Sequence, residues 1–316
     1  MGGDAVSHNQ TVALLMRQAS PVWLCTYCKR FRSVYVMGET SLHVTFHGVR
    51  GSTPCHGPNT VKYGGNTSCV SISSRGNRTL LLDLGTGLRY FGLDYAQQHD
   101  EPLNAVALVT HLHWDHIQGL PFFGPILQDG ARLELYGPRQ DDGQSFLSAV
   151  SQAFRQPTFP VGLHDLRGKF EFHDVMDSDF TIDDYRIRSR SVPHIGPTVG
   201  YRIELGDVSV AYISDHQQPT DGTFAVPDGV RELAQDVDLL IHDSQYTDEE
   251  FTVKGHWGHC TPTFAVDIGT ACGARRIALY HHDPDRTDKE LDSVCMSRPN
   301  GPGVCVAREG TTITLS

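Results

Sequence analysis

The feature that most constrains this chain is a segment of six residues that contains four possible metal ligands. The segment, His111-Leu-His-Trp-Asp-His116, directly follows the apolar run Ala105-Val-Ala-Leu-Val-Thr110, which has the composition of a buried strand. Imidazoles and carboxylates bind Zn²⁺ and similar dications, and alternate side chains of one loop can face two adjacent ions. A solvated polar loop would explain one histidine, but not three together with an aspartate. The segment therefore predicts a dinuclear metal centre, and with it a hydrolase.

The composition is typical of a soluble enzyme. A chain of 316 residues with 39% hydrophobic content can bury a large core. Its apolar runs are far shorter than the roughly 18 residues of a membrane span, and its N-terminus lacks a secretory leader, so we expect a cytoplasmic protein with no membrane partner. Eight cysteines in a chain of this size are expected to be reduced. A zinc knuckle at Cys25 and Cys28 is the alternative for that pair, but no second pair at matching spacing follows.

The net charge of −11 bears on the class of substrate. Proteins that bind long nucleic acids rely on attraction between cationic side chains and phosphates, which this charge disfavours. Bound dications would offset the charge locally, so a small anionic substrate still suits the predicted centre.

Strand-like and helical patterns alternate from residue 42 onward and predict a mixed α/β fold, with two sheets packed face to face and helices outside. The predicted strands are 42–46, 68–73, 79–84, 105–110, 132–136, 169–172, 185–191, 199–204, 208–213, 238–242 and 277–280, and the predicted helices are 145–154 and 262–272. We expect a hydrolase domain over 37–316, in which 139–184 is an insertion able to form a lid. Residues 1–36 are either a loosely packed extension before a natural start at Met37 or an ordinary N-terminal helix.

The order of these residues resembles the metallo-β-lactamase superfamily. His111-x-His113-x-Asp115-His116 is followed, each time at the end of a predicted strand, by Val192-Pro-His194, Ala211-Tyr-Ile-Ser-Asp215 and Ile277-Ala-Leu-Tyr-His281-His282. The resemblance implies a four-layer αβ/βα sandwich that holds two divalent ions, Zn²⁺ first and Mn²⁺ as the alternative. It implies that His111, His113 and His194 bind one ion, that Asp115, His116 and His281 bind the other, and that Asp215 and a nucleophilic hydroxide bridge both. His282 competes with His281 for the last position, and Asp83 braces the metal segment.

Further motifs resemble the branch that contains ribonuclease Z and cyclic phosphodiesterases. They are Phe46-His-Gly-Val-Arg-Gly-Ser-Thr-Pro54, Leu239-Leu-Ile-His-Asp243-Ser-Gln-Tyr246 and Gly258-His-Cys-Thr261. The resemblance implies that Asp243 orients His259, which protonates a leaving alkoxide or holds a phosphate oxygen. We expect Asp115 to be catalytic together with Asp243 and His259.

One departure from the branch concerns its tRNA-binding arm. Only twenty residues separate His194 from Asp215, so the arm found at this place in tRNA-processing enzymes is expected to be absent. We therefore expect a phosphodiesterase for a small or cyclic phosphodiester, a cyclic nucleotide foremost. The alternatives left open are a ribonuclease Z-like endonuclease, a lactonase or β-lactamase type of hydrolase, and a non-catalytic metal-binding or nucleotide-sensing module. A homodimer is also compatible with the sequence.

Overall fold

The computed structural model describes residues 41–157, 159–296 and 303–316. Its strands are β1 Leu42–Gly48, β2 Cys69–Ser73, β3 Thr79–Leu82, β4 Asn104–Leu108, β5 Arg132–Pro138, β6 Lys169–Val175, β7 Ser178–Ile182, β8 Tyr185–Ser191, β9 Val199–Leu205, β10 Val208–Ile213, β11 Leu239–Asp243, β12 Arg276–Tyr280, β13 Gly303–Val306 and β14 Thr312–Leu315. Its helices are α1 Gly87–Gln98, α2 Trp114–Ile117, α3 Phe146–Ala153, α4 Asp228–Ala234, α5 Asp248–Lys254, α6 Pro262–Ala271 and α7 Asp288–Met296. The predictions for residues 1–36, including the pair Cys25 and Cys28, fall outside the described residues.

Within the described residues the strands form two sheets of seven strands each. The first sheet has the order β14-β1-β2-β3-β4-β5-β6, and the second has the order β13-β12-β11-β10-β9-β8-β7. Strands β3 to β6 are mutually parallel, and so are β10 to β13. Parallel strands end at the same edge of a sheet, and ligand sites of such sheets lie outside that edge. The segments that follow β3, β4, β10, β11 and β12 are therefore brought together.

The central strands are apolar because both of their faces are covered. Side chains alternate between faces along a strand, so Leu80 and Leu82 of β3 enter the core between the sheets, while Leu81 packs under the helices of the first sheet. In β11, Ile241 faces the same central core and Leu240 faces the helices of the second sheet. Helices α1 and α3 cover the first sheet, and α4 and α6 cover the second. The expected four-layer sandwich is confirmed.

Every predicted strand has a counterpart, with ends that differ by at most three residues. The predicted unit of strand, helix and strand near residue 262 is also confirmed, since β11 and β12 pair in parallel on either side of α6. Thr261 caps α6 by accepting a hydrogen bond from the backbone N–H of Phe264, and Pro262 occupies the first turn, as the sequence indicates.

The segment 139–184, predicted to be an insertion, contains two strands of the sheets. Strands β6 and β7 lie within it and form the outer strands of the two sheets. A lid role is thus confined to residues 139–168, which contain α3, and stays a prediction.

Candidate metal centre

The six-residue segment after β4 is half loop and half helix, rather than the loop that the sequence indicates. His111 is buried directly after the strand, His113 immediately precedes α2, and Asp115 and His116 lie in the single turn of α2. Because the chain turns here from extended backbone into a helix, the imidazole rings of His111, His113 and His116 lie close together. The ring centroid of His111 lies 4.4 Å from that of His113 and 4.2 Å from that of His116.

Three further candidate ligands reach this segment from strand ends of the second sheet. His194 follows β8, Asp215 follows β10 and His281 follows β12. Nε2 of His194 lies 3.2 Å from Nδ1 of His113, and Nε2 of His281 lies 3.2 Å from Nε2 of His116. The carboxylate of Asp215 lies between the two pairs, 3.2 Å from Nε2 of His116 and 3.7 Å from Nε2 of His194.

Ligand atoms in this cluster form groups that could each hold a cation. Among these groups are His111 with His113 and His194, His111 with His116 and Asp215, and Asp115 with His116 and His281; within each, the ligand atoms lie within 4.8 Å of one another. The first and the third group coincide with the two ligand sets that the resemblance implies. The assignment of each residue to an ion stays a prediction.

Hydrogen bonds on the far side of the rings show which nitrogen faces the centre with a lone pair. Nδ1 of His194 lies 2.7 Å from the backbone oxygen of Gly258, and Nδ1 of His116 lies 2.8 Å from Oδ2 of Asp83. These oxygens only accept hydrogen bonds, so Nδ1 carries the hydrogen and, in a neutral ring, Nε2 carries a lone pair. Nε2 of His116 also lies 3.2 Å from Oδ2 of Asp115. Although burial opposes it, the carboxylates of Asp115, Asp215 and Asp83 raise the pKa of His116 well above its usual value, so a proton occupies this contact without metal. A metal cation can replace that proton.

Two buried atoms support the fit of this donor set to divalent metal. Among the side chains that the structure describes, Nε2 of His111 and Oδ2 of Asp215 are buried without a hydrogen-bond partner. Burial lowers the pKa of His111 well below its usual value and that of His113 to about 4, which keeps both rings in the neutral form that binds metal. Imidazole and carboxylate ligands in this number suit two Zn²⁺ ions.

Asp83 supports the metal segment from below, as the resemblance implies. Its fully buried carboxylate accepts hydrogen bonds from the backbone N–H of Thr110 at 2.7 Å, from Nδ1 of His116 at 2.8 Å and from the hydroxyl of Tyr212 at 2.9 Å. Asp83 adopts left-handed backbone with φ of +58°, which turns the chain out of β3 toward the segment. The partner Tyr212, on the second sheet, is not apparent from the sequence.

His281 and His282 differ clearly in their surroundings. Nε2 of His281 lies 3.1 Å from Oδ2 of Asp115, whereas Nε2 of His282 lies 2.9 Å from the backbone oxygen of Ala307, away from the cluster. Burial lowers the pKa of His282 to about 3, so it donates this bond as a neutral ring. The geometry thus agrees with the preference for His281.

Asp243 and His259 form a buried pair beside the cluster. Oδ2 of Asp243 lies 3.1 Å from Nδ1 of His259, and Asp243 also accepts hydrogen bonds from the backbone N–H groups of His216 and Gln245. Nδ1 of His259 is 3.6 Å from Oδ1 of Asp215, so the pair adjoins the central carboxylate. His256, the weaker candidate, is exposed and accepts a hydrogen bond from the indole of Trp257 at 3.2 Å.

Sequence reasoning assigned no role to Gln245 and Ser52, which bond to candidate ligands, nor to two glycines that lie against them. A Cβ atom at Gly51 would lie 2.4 Å from ring atoms of His281, and one at Gly258 would lie 2.6 Å from ring atoms of His194. Both glycines are therefore required by close approach to candidate ligands. The only signal for them was their presence within motifs that resemble the phosphodiesterase branch.

A comparison with protein families identifies the fold and the enzyme class. The family model described as the beta-lactamase superfamily domain matches residues 78–282, which contain every candidate metal ligand. The chain belongs to the β-lactamase superfamily. The expectation of a metal-dependent hydrolase of this superfamily is thereby confirmed.

Individual members of the superfamily cover nearly the whole chain. A ribonuclease Z from Natronomonas pharaonis is 26% identical over 330 aligned positions, which span 87% of this chain and 98% of that protein. The metallo-β-lactamase fold protein YhfI from Bacillus subtilis superposes with a TM-score of 0.65 at 20% identity, over 88% of this chain and 100% of its own. A diphosphatase from the PhnP family superposes with a TM-score of 0.64 at 19% identity, over 87% of this chain and 98% of its own.

A helix that crosses a bilayer must be both long and apolar. In the part of the chain that the structure describes, no helix has both the length and the apolar composition needed to cross a bilayer.

Proposed function

We propose that the chain is a dinuclear phosphodiesterase that hydrolyses a small or cyclic phosphodiester, with a cyclic nucleotide as the foremost substrate. The observation that carries the proposal is the buried pair of Asp243 and His259, joined at 3.1 Å beside the candidate metal centre. An alkoxide is a poor leaving group and must be protonated as it departs, which is the task of a positioned general acid.

The metal centre would be built as the resemblance implies. One ion would be held by His111, His113 and His194, the second by Asp115, His116 and His281, and both by Asp215. Zn²⁺ suits these ligands best and Mn²⁺ is the alternative. When bound, the ions would supply Lewis acidity toward a phosphoryl oxygen and toward the attacking water.

His259 would act next to the ions without holding either of them. Its Nδ1 faces Asp243, which fixes the ring and leaves Nε2 to meet the substrate. The ring lies between the two sides of the cluster, with its centroid 5.0 Å from that of His281 and 5.4 Å from that of His194. His259 can therefore donate a hydrogen from Nε2 to the leaving oxygen or to another phosphate oxygen.

Small substrates are favoured over long nucleic acids for two reasons. The net charge is −11, and thirteen of the twenty residues between His194 and Asp215 belong to β9 and β10, which leaves too little length for an extended arm. Trp114 adjoins His113 in the chain, and Trp257 adjoins Gly258, whose backbone oxygen orients His194. Their indoles are 50% and 54% exposed and offer flat surfaces on which a nucleobase can stack. That the chain forms a homodimer stays a prediction.

The test compares His259→Ala with the wild-type protein, both loaded with Zn²⁺, on a cyclic nucleotide and on bis(4-nitrophenyl) phosphate. We expect unchanged metal content and a loss of cyclic nucleotide turnover by about 10² to 10⁴, the usual range for a general acid. The loss should be smaller on the nitrophenyl diester, whose leaving group needs little protonation. His256→Ala, three residues away on the same loop, is the matched control and should behave as wild type.

Other outcomes would change the proposal. Equal losses on both diesters would assign His259 to phosphate binding, and loss of a metal ion would make it a ligand. If His259→Ala is as active as wild type, while the protein hydrolyses a lactone or a β-lactam, the phosphodiesterase proposal is wrong. Turnover of a precursor tRNA with a 3′ trailer in preference to every small diester would favour the ribonuclease Z-like alternative.

A further inference from the structure

Four residues form a closed ring of polar contacts at one side of the candidate metal centre. Oε1 of Gln245 lies 2.8 Å from Nδ1 of His281, and Nε2 of Gln245 donates to Oγ of Ser52 at 3.1 Å. The backbone N–H of Ser52 donates to Oδ2 of Asp115 at 2.7 Å, and that oxygen lies 3.1 Å from Nε2 of His281. We call Asp115, Ser52, Gln245 and His281 the Gln245 ring.

We propose that Gln245 is a positioning residue that selects the tautomer of His281 and thereby sets the affinity of one of the two ions. The inference rests on the metal centre of the proposed function. It concerns only the ion assigned to Asp115, His116 and His281, because His194, on the other side, is oriented by the backbone oxygen of Gly258.

The direction of the hydrogen bonds in the Gln245 ring decides the tautomer. Since the amide nitrogen of Gln245 donates to Ser52, its oxygen faces Nδ1 of His281 and must accept a hydrogen from it. Nε2 of a neutral His281 then carries the lone pair that a metal ion requires. The reverse orientation of the amide would place the hydrogen on Nε2, where it would point at Asp115 and block coordination.

The backbone around the Gln245 ring is held in conformations that need support from their surroundings. Ser52 and His281 both adopt left-handed backbone, with φ of +61° and +58°, although neither is a glycine. Such conformations are unfavourable for ordinary side chains and persist where neighbouring contacts fix them. Gly51 lies so close that a Cβ atom there would be 2.6 Å from Oε1 of Gln245. This crowding leaves the amide little freedom to rotate away from His281.

The acceptors that orient the two histidines of this ion differ in charge. His116 donates to the carboxylate of Asp83, whereas His281 donates to the neutral amide of Gln245. A partner that accepts this hydrogen typically changes metal affinity by 10-fold to 100-fold when it is removed. A carboxylate at position 245 would accept the same hydrogen, so glutamate should preserve the tautomer and leucine should not.

The experiment measures Zn²⁺ bound per chain across a series of buffered free Zn²⁺ concentrations, for wild type, Gln245→Leu and Gln245→Glu. We expect Gln245→Leu to weaken one ion by 10-fold to 100-fold and to leave the other unchanged, while Gln245→Glu retains both at wild-type affinity or better. Gln140→Leu, which removes a half-buried amide bonded to the backbone oxygen of Pro138, is the control and should bind both ions normally. Wild-type affinity for both ions in Gln245→Leu would overturn the inference.

A second measurement stands even if Gln245→Leu does not fold. Nitrogen-15 histidine spectra of the chelated wild-type protein, with His281 assigned through a His281→Gln variant, should show the hydrogen on Nδ1. A ring whose only hydrogen is on Nε2 would overturn the inference whatever the metal titration shows. If wild type takes up no ion at all, the proposed metal centre fails, and this spectrum still decides the role of Gln245 in setting the tautomer.

Discussion

Replacing Asp83 by asparagine tests whether one buried carboxylate stabilises the metal segment even without metal. Oδ1 of Asp83 accepts from the backbone N–H of Thr110 at 2.7 Å and from its hydroxyl at 3.0 Å. Oδ2 accepts from Nδ1 of His116 at 2.8 Å and from the hydroxyl of Tyr212 at 2.9 Å. Asparagine has one oxygen and one NH₂ group, so in either orientation one hydroxyl and one N–H would lose their bond to the carboxylate, and the N–H would face another donor.

The expected loss of stability follows from those two bonds. A hydrogen bond to a charged group contributes about 1.5 to 3 kcal/mol, so Asp83→Asn should lower the free energy of unfolding by about 3 to 6 kcal/mol. This is a large part of the 5 to 15 kcal/mol that is typical of a folded domain. The backbone adds little to the loss, because asparagine tolerates left-handed φ values such as the +58° at this position.

The assay is urea unfolding followed by far-UV circular dichroism, with metal removed by a chelator from every sample. The midpoint should fall while the slope stays constant, which identifies a change of stability rather than of the unfolded state. Asp183→Asn is the matched control, since Asp183 is also left-handed, with φ of +49°, but forms a solvent-exposed ion pair with Arg78. Its loss should be below about 1 kcal/mol. A loss for Asp83→Asn as small as that of the control would refute the argument.

Two further predictions concern metal retention and the N-terminal residues. Asp215→Ala should lose bound metal together with turnover, because the Asp215 carboxylate lies within 4 Å of rings on both sides of the cluster, 3.2 Å from His116 and 3.7 Å from His194. Elemental analysis that finds two tightly bound ions in this variant would show that Asp215 does not bridge, and Asp221→Ala at an exposed site is its control. A chain that begins at Met37 should fold and turn over substrate as the full chain does, and loss of either property would contradict the view of residues 1–36 as dispensable.

Much of the candidate site could be predicted because its residues occupy positions with a strong local signal. His111, Asp215 and His281 each follow an apolar run that reads as a buried strand, and ionisable residues at such places are rarely structural. Two sheets packed face to face with helices outside followed from the long run of strand patterns, and the resemblance to the metallo-β-lactamase superfamily implied the four-layer sandwich. The cap at Thr261 could be predicted for a similar reason, because Thr-Pro is a local signature of a helix start.

Several elements that the sequence did not predict have weak local signals. Strands β13 and β14 have four residues each and are stabilised by pairing with β12 and β1, which are distant in the chain. Helix α1 contains Gly92 and has no side-chain cap at Thr86, so neither its pattern nor its start stands out. The single turn of α2 is too short to show helical periodicity, which explains why the metal segment was interpreted as a loop.

The hydrogen-bond partners of the ligands were missed for a different physical reason. Gln245 and Ser52 are ordinary polar residues whose importance depends on left-handed turns and on contacts between the two sheets. A neutral amide gives no charge or spacing pattern that distinguishes an orienting residue from a solvated one. Only the packed structure places Gln245 opposite Nδ1 of His281.

The charges buried around the cluster explain why this arrangement suits two dications and an anionic substrate together. Four carboxylates, those of Asp83, Asp115, Asp215 and Asp243, are each at most 5% exposed. Their hydrogen-bond and ion-pair partners among the described residues are histidines, backbone N–H groups and hydroxyls rather than lysine or arginine. Burying uncompensated carboxylates is costly, and two dications would neutralise all four. The hydroxide that the resemblance implies and a phosphodiester would each add one negative charge, and His259 is placed to donate a hydrogen bond to the substrate.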